Sequence, residues 1–127
     1  MEDADAVLLA VHWSRLSDVL RRAGDLSGKA LLSCSLPMNK SDTALVLGRT
    51  TSGAEALAKR VRGAHVVSAL GTVPSEVLFA VYEARRRKDR PSLVYCGDHV
   101  EAKKVAASLI RDLGFDPLDV GPLRIAR

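Results

Sequence analysis

Aromatic residues and cysteines are scarce in this chain of 127 residues. Only 4% of the residues are aromatic, too few to form the stacking platforms on which proteins bind single-stranded nucleic acids. Cys34 and Cys96 lie far apart without CxxC spacing, so neither a disulfide scaffold nor a zinc module is indicated. The three histidines stand alone in the sequence and give no support for a metal site.

Long apolar runs are also missing. The longest, Ala6–Val11 and Val77–Tyr82, have six residues each, whereas a membrane-spanning helix needs about 20. The chain opens with the acidic segment Met1–Asp5, which lacks the basic start and apolar core of a secretory signal. We therefore expect a cytoplasmic protein that does not cross a membrane.

Charge asymmetry is absent as well. The net charge of +4 is spread evenly over the two halves of the chain, so no nucleic-acid-binding arm is predicted. The one dense basic cluster is Arg85–Arg90. We interpret it as the solvated end of a helix, with contact to an anion or phosphate as the alternative.

Several motifs of nucleotide and hydrolase sites are missing too. The nine glycines include no GxG pair, so the dinucleotide fingerprint is absent. Gly24–Ala30 is one residue too short for a P-loop, and no GxSxG elbow occurs. The chain therefore contains no complete phosphate cradle and gives little support for a hydrolase.

What is present is an alternation of short strands and amphipathic helices. The pattern predicts strands at Ala6–Val11, Lys29–Cys34, His65–Ala69, Ser92–Cys96 and Phe115–Val120, with helices over 14–23, 54–61, 74–87 and 102–113. The first strand is apolar on both faces, as in a central strand, whereas Pro117 favours an edge position for the last. A loop spans 35–50. This order predicts a single α/β domain over 1–127 with a mainly parallel sheet.

Residues at the helix ends carry capping signals. Ser14 is predicted to cap the first helix, and Gly24 to end it. Asp98 and Glu101 are predicted to form an acidic capping box at the last helix, which Gly114 ends.

Ligands of such sheets bind beyond the carboxyl ends of the strands. The candidate segments are Val11–Trp13, Cys34–Pro37, Ala69–Thr72 and Cys96–Asp98. His12 and Trp13 suit contact with a flat ring, although Trp13 could instead hold the first helix on the sheet. Small buried side chains are the simpler interpretation of Cys34 and Cys96, and a helix cap that of Asp98.

Four segments together resemble one family, the NADPH-dependent reductases of the deazaflavin coenzyme F420. These are Asp5–Trp13, His65–Pro74 with its SALxTxP pattern, Cys96–Val105 and Gly114–Leu123. Order and spacing match as well, and the resemblance covers nearly the whole chain. It implies a partial Rossmann-like, doubly wound sheet with helices on both faces. The chain corresponds to the second half of an NADP-binding domain, without the first strands and the Gly-rich loop.

The resemblance implies an oxidoreductase that transfers a hydride between NADP(H) and coenzyme F420, and it requires no catalytic acid or base. It places the nicotinamide and its ribose against one group of residues: Val11, His12, Trp13, Ser33, Cys34, Ser35, Leu36 and Pro37. It places the deazaflavin against a second group: Ser68, Ala69, Leu70, Gly71, Thr72, Val73 and Pro74.

Gly71 departs from the family pattern, in which a larger polar residue, His or Asn, usually stands at this position. Two alternatives therefore stay open: a reductase of the same superfamily with another acceptor, and a non-catalytic Rossmann-like remnant or assembly module. The enzyme could also be inactive without a GxGxxG half.

The strand Ala6–Val11 pairs with the first Rossmann strand in the family, and this chain lacks that partner. An uncharged apolar edge is prone to association. We expect a homodimer or a separate chain to cover it.

Overall fold

The computed structural model describes residues 3–127; Met1 and Glu2, which begin the acidic opening segment, lie outside the described residues. The strands are β1 (Ala6–Leu9), β2 (Ala30–Ser33), β3 (His65–Ala69), β4 (Ser92–Gly97) and β5 (Asp116–Asp119). The α-helices are α1 (Leu16–Ala23), α2 (Gly53–Arg60), α3 (Ser75–Glu83) and α4 (Val100–Leu113), and two short 3-10 helices span Trp13–Arg15 and Leu123–Ala126.

The five strands form one sheet in the order β1-β2-β3-β4-β5. β1, β2 and β3 run parallel, β4 runs antiparallel to β3, and β5 runs parallel to β4. The expectation of a partial Rossmann-like, mainly parallel sheet is confirmed. Within residues 3–127 β1 pairs with β2 alone, so its apolar pattern does not make it a central strand here; it forms the open edge expected where the first Rossmann strand is missing. Leu8 on this edge strand is 58% exposed.

Helices cover both faces of the sheet, as predicted, and each face has its own core. On one face α4 packs on the sheet through Ala106 and Ile110, both fully buried, and α3 contributes Leu78 and Val81. On the other face α1 and α2 pack through Leu16 and Leu57, both fully buried. The layered arrangement follows from strands with apolar side chains on both faces.

Two predicted helix caps are wrong. Ser14 does not cap α1, which has no side-chain cap; the imidazole of His12 instead caps the 3-10 helix before it by accepting from the Ser14 N–H at 3.2 Å. The imidazole of His99 caps α4 by accepting from the Ala102 N–H at 3.2 Å. A neutral imidazole nitrogen accepts a hydrogen bond as a hydroxyl or carboxylate oxygen does, so it can replace them at a helix start.

The predicted helix over 74–87 is shorter in the structure. α3 ends at Glu83, and the Arg85–Arg90 cluster forms the turn that follows it. The Arg85 guanidinium donates to the Tyr82 carbonyl at 2.8 Å, and that of Arg90 donates to the Arg111 carbonyl at 3.0 Å. The interpretation of this cluster as a helix end is thus confirmed.

Within residues 3–127 no helix combines the length and the apolarity that crossing a membrane requires. The cytoplasmic location expected from the sequence stays a prediction.

Candidate functional site

Three of the four candidate segments meet at one edge of the sheet. Val11–Trp13, Cys34–Pro37 and Ala69–Thr72 follow β1, β2 and β3, and parallel strands end on the same side. The fourth segment, Cys96–Asp98, does not join them as a whole. β4 runs antiparallel, so Gly97 pairs with Val67 near the middle of β3, and the chain leaves the sheet at the opposite edge. The expectation that all four segments share one edge is therefore wrong for Gly97 and Asp98.

The larger of two adjoining grooves, about 440 Å³ in volume, lies beyond β3. It contains five of the seven residues that the family resemblance assigns to the deazaflavin. Its apolar walls come from β4, the segment after β5 and the end of the chain. The lining residues are Leu36, Ser68, Ala69, Leu70, Gly71, Thr72, Val94, Tyr95, Cys96, Val120, Ile125, Ala126 and Arg127.

The smaller groove, about 280 Å³, lies beyond β1 and β2. It contains five of the eight residues that the resemblance assigns to the nicotinamide. Its lining residues are Ala10, Val11, His12, Cys34, Ser35, Leu36, Met38 and Asp42. Leu36 lines both grooves, so the two grooves adjoin at this residue, which is 52% exposed.

The remaining predicted site residues lie outside the linings of both grooves. They are Trp13, Ser33, Pro37, Val73 and Pro74. Trp13 faces α2 instead: the guanidinium carbon of Arg60 lies 5.6 Å from the centre of its ring, and a Cβ added at Gly53 would lie 3.2 Å from the ring. Trp13 also packs against the core that α1 and α2 form with the sheet, which favours the alternative in which it holds the first helix on the sheet. The binding role of these five residues stays a prediction.

His12 is held at the mouth of the smaller groove by hydrogen bonds to both ring nitrogens. Nδ1 lies 2.8 Å from the Ser14 hydroxyl and accepts from the Ser14 N–H, while Nε2 lies 2.9 Å from Oδ1 of Asp42. A nitrogen that accepts from a backbone N–H carries no proton, so we assign the neutral tautomer with the proton on Nε2. The Nε2–H group donates a hydrogen bond to Oδ1 of Asp42.

Cys34 and Ser35 tie the end of β2 to the end of β1. The Ser35 hydroxyl donates to the Val11 carbonyl at 2.6 Å, and the Cys34 thiol donates to the Leu9 carbonyl at 3.4 Å. Burial raises the pKa of the Cys34 thiol, which keeps it protonated and unreactive at neutral pH. Both side chains therefore shape the groove, and nothing in their geometry prepares them for nucleophilic attack.

The turn after β3 contains Leu70, whose backbone is strained, and Gly71, which has no side chain. Leu70 has φ +67, a conformation that non-glycine residues seldom adopt and that clusters at functional sites. At Gly71 an added Cβ would lie 3.4 Å from the Cys34 carbonyl oxygen and 3.6 Å from the Leu36 side chain. A Cβ at position 71 would therefore contact Cys34 and Leu36 at ordinary van der Waals distances, close to the junction of the two grooves.

The end of the chain contributes to the site in a way that sequence reasoning missed. Ile125–Arg127 line the larger groove, and the buried Leu123 anchors them. The Leu123 N–H donates to Asp98 at 2.9 Å, and Arg127 pairs with Glu55 at 2.8 Å. The spacing of Ser52 and Glu55 is a capping-box signal visible in the sequence, and the structure forms that box. The pairing with Arg127 has no local signal.

Two solved structures are similar to this chain over nearly its whole length. A candidate F420-dependent NADP reductase from Arthrobacter sp. FB24 superposes with a TM-score of 0.83 at 28% identity, over 98% of this chain and 58% of that one. The chain is similar to F420-dependent NADP reductases. A hypothetical protein from Sinorhizobium meliloti superposes with a TM-score of 0.81 at 32% identity, over 95% of this chain and 58% of that one. The resemblance stated from the sequence is thus confirmed.

Two further reductases are similar to the chain, one in sequence and one in fold alone. The metalloreductase STEAP3 of Rattus norvegicus is 32% identical over 123 residues, which is 97% of this chain and 24% of that protein. Pyrroline carboxylate reductase from Plasmodium falciparum, with NADP bound, has a TM-score of 0.55 at 18% identity and shares the fold. No protein-family model matches the chain. The chain spans little more than half the length of the Arthrobacter and Sinorhizobium proteins and about a quarter of the metalloreductase.

Proposed function

We propose that this chain is the acceptor-facing part of an NADP(H)-dependent oxidoreductase that exchanges a hydride with coenzyme F420. The observation that carries the proposal is the pair of grooves that adjoin at Leu36, beyond the carboxyl ends of β1, β2 and β3. Two flat cofactor rings that exchange a hydride must lie against one another in a water-poor space. Adjoining grooves with apolar walls suit that arrangement.

The smaller groove fits a nicotinamide ring with its ribose. Val11, Cys34 and Leu36 offer apolar contacts, and His12 contributes the flank of an imidazole. The hydroxyl of Ser35 is committed to the Val11 carbonyl, so its contribution is shape and not a free donor. The phosphates have no cradle among these 127 residues, so a GxGxxG segment outside them would have to hold the nucleotide phosphates.

The larger groove fits the deazaflavin ring. Ala69, Leu70 and Val94 form apolar walls, and the hydroxyls of Ser68 and Thr72 lie among them. Bound there, the deazaflavin would supply the hydride acceptor or donor. The protein would align the rings and exclude water, for which it needs no acid or base. The absence of an acid or base role agrees with the geometry of the site. The Nε2–H of His12 is hydrogen-bonded to Asp42, and the raised pKa of Cys34 keeps its thiol protonated.

Direct measurement of hydride transfer tests the proposal. NADPH and oxidised F420 are mixed with the chain, alone and with a polypeptide that carries a GxGxxG strand–loop–helix half, and the loss of the deazaflavin absorbance is followed. Leu36→Ala should slow transfer, because it removes the apolar side chain that lines both grooves and would position the two rings. Leu45→Ala, an exposed leucine of the same loop, is the matched control. Absence of transfer in both mixtures would favour the non-catalytic module.

A second candidate is a reductase of the same superfamily with another acceptor. Gly71 favours it, since the family resemblance implies a larger polar residue, His or Asn, at this position and glycine offers no side chain to contact the deazaflavin. The similarity to a metalloreductase points the same way. Turnover of NADPH with alternative acceptors but not with F420 would support this candidate.

We also propose that the free edge of β1 pairs with a further strand, from a second copy or from a separate chain. Within residues 3–127 the edge is apolar and pairs on one side only, and such edges associate. Sedimentation at increasing concentration should show a dimer or a complex. A monomer at high concentration would contradict the proposal.

A further inference from the structure

The tip of the 35–50 loop is built to reach the smaller groove. The loop contains a small hairpin in which Met38 pairs with Leu45, and the Val46 N–H donates to the Pro37 carbonyl at 2.7 Å. At the tip, the Asn39 side chain accepts from the Thr43 N–H at 2.9 Å, and the Asp42 N–H donates to the Asn39 carbonyl at 3.1 Å. These bonds preorganise the tip before any ligand binds.

Asp42 is the residue that this tip presents to His12. Its φ of +54 lies in the left-handed region, which Asp tolerates better than most residues. In that conformation its Oδ1 lies 2.9 Å from Nε2 of His12, across 30 residues of sequence. Asp42 also lines the smaller groove together with His12.

We propose that Asp42 is a positioning residue that holds the His12 imidazole as a fixed wall of the nucleotide groove, in the tautomer protonated on Nε2. The Ser14 N–H donates a hydrogen bond to Nδ1, and Asp42 accepts a hydrogen bond from Nε2–H. The ring therefore has no nitrogen left to offer a ligand. It presents a face or an edge of carbon, which suits contact with a nicotinamide ring. This proposal rests on the function proposed above for that groove.

Two variants of Asp42 separate its roles. Asp42→Ala removes the acceptor, so the His12 ring should lose its fixed orientation. Asp42→Asn keeps a carbonyl oxygen that accepts from Nε2–H and removes only the charge, so it should retain the wild-type ring. Asp112→Ala, an exposed carboxylate on α4, is the charge-matched control.

The first readout is the imidazole ¹⁵N spectrum at mildly alkaline pH, with the His12 signals identified by their loss in His12→Gln. Wild type, Asp42→Asn and Asp112→Ala should show one tautomer protonated on Nε2. Asp42→Ala should show a larger share of the form protonated on Nδ1, because only the Ser14 N–H then favours protonation of Nε2. The second readout is the affinity for NADPH, measured by calorimetry. Asp42→Ala should weaken it about two- to fivefold, the range expected for losing one exposed charged hydrogen bond, with Asp42→Asn rescuing it.

An Asp42→Ala protein with the wild-type tautomer and the wild-type affinity would overturn the proposal. A wild-type chain that binds no NADPH, alone or with a nucleotide-binding half, would instead overturn the proposed function. In that case the ¹⁵N spectrum still decides whether Asp42 orients the ring, so the two failures are distinguishable.

Discussion

Arg127 holds both oxygens of the Glu55 carboxylate: Nη2 donates to Oε1 at 2.8 Å, and Nε donates to Oε2 at 3.1 Å. Oε2 also accepts from the N–H of Ser52 at 2.9 Å, so one carboxylate caps α2 and anchors the end of the chain. Because Ile125–Arg127 line the larger groove, this pair links the stability of α2 to the shape of the candidate site.

The first prediction concerns acid stability. Hydrogen bonds from Arg127 and Ser52 lower the pKa of Glu55 from its ordinary 4.5 to about 2. A carboxylate whose pKa is lower in the folded state stabilises the fold above its unfolded pKa, and this contribution is lost as pH falls through the folded pKa. Glu55→Gln should therefore lower Tm at neutral pH and weaken the loss of Tm between about pH 4.5 and 2. Glu83→Gln, on an exposed part of α3, should retain the wild-type profile.

The second prediction concerns Gly71. An added Cβ meets the Cys34 carbonyl and Leu36 only at ordinary contact distances, 3.4 and 3.6 Å, so Gly71→Ala should fold with a Tm near that of wild type. Gly71→Asn should extend a side chain toward the larger groove. Because Asn is one of the two residues that the family resemblance implies at this position, we expect it to lower KM for F420 and to leave KM for NADPH unchanged. Equal effects on both constants would contradict the separation of the two grooves.

The third prediction uses Gly114, which ends α4 with φ +107. A Cβ there would lie 2.8 Å from the Val81 carbonyl oxygen and 2.9 Å from the Arg85 Cβ. Gly114→Ala should lower the free energy of unfolding by about 3 kcal/mol, from backbone strain and overpacking together. Gly28, with φ +74 and open space around it, isolates the backbone part, so Gly28→Ala should cost about 1–2 kcal/mol. Denaturant unfolding measures the loss in the free energy of unfolding for both variants. Equal losses would show that the steric clash at Gly114 contributes nothing.

The fourth prediction concerns the two thiols. Burial raises the pKa of both Cys34 and Cys96, so the thiolate fraction at neutral pH is smaller than that of a free cysteine. Alkylation of the native protein should be slow for both, and slower for Cys96, which is only 4% exposed. In urea both should react at the rate of a free thiol. Rapid labelling of native Cys34 would indicate an activated thiol and contradict its structural role.

Local patterns predicted several elements well. His65–Ala69, which contains the β-branched pair Val66 and Val67, is a strand as predicted, and Gly114 ends α4 as expected. β-Branched residues and a glycine after a helix are local signals, so the sequence carries them directly. The histidine caps were missed because imidazoles seldom stand in for the hydroxyl and carboxylate caps. The direction of β4 was missed because a buried strand has the same apolar pattern in either direction.

The candidate site divides in the same way. The segments after β1, β2 and β3 could be placed at one edge from the alternation of strands and helices, because parallel strands end on the same side. The contacts of Asp42 with His12 and of Arg127 with Glu55 could not, since 30 and 72 residues separate the partners and no local spacing encodes such distances.

The sequence by itself determined the layered α/β architecture, the strand ends that form the site and the resemblance to F420-dependent NADP reductases, because periodicity, glycine positions and motif spacing are properties of short segments. Only the tertiary structure decided which residues line each groove, that the two grooves adjoin at Leu36, and that Trp13 packs on α2. These outcomes depend on the direction of β4 and on contacts between segments distant in the chain. Packing selects such contacts only when the whole domain closes around its two cores.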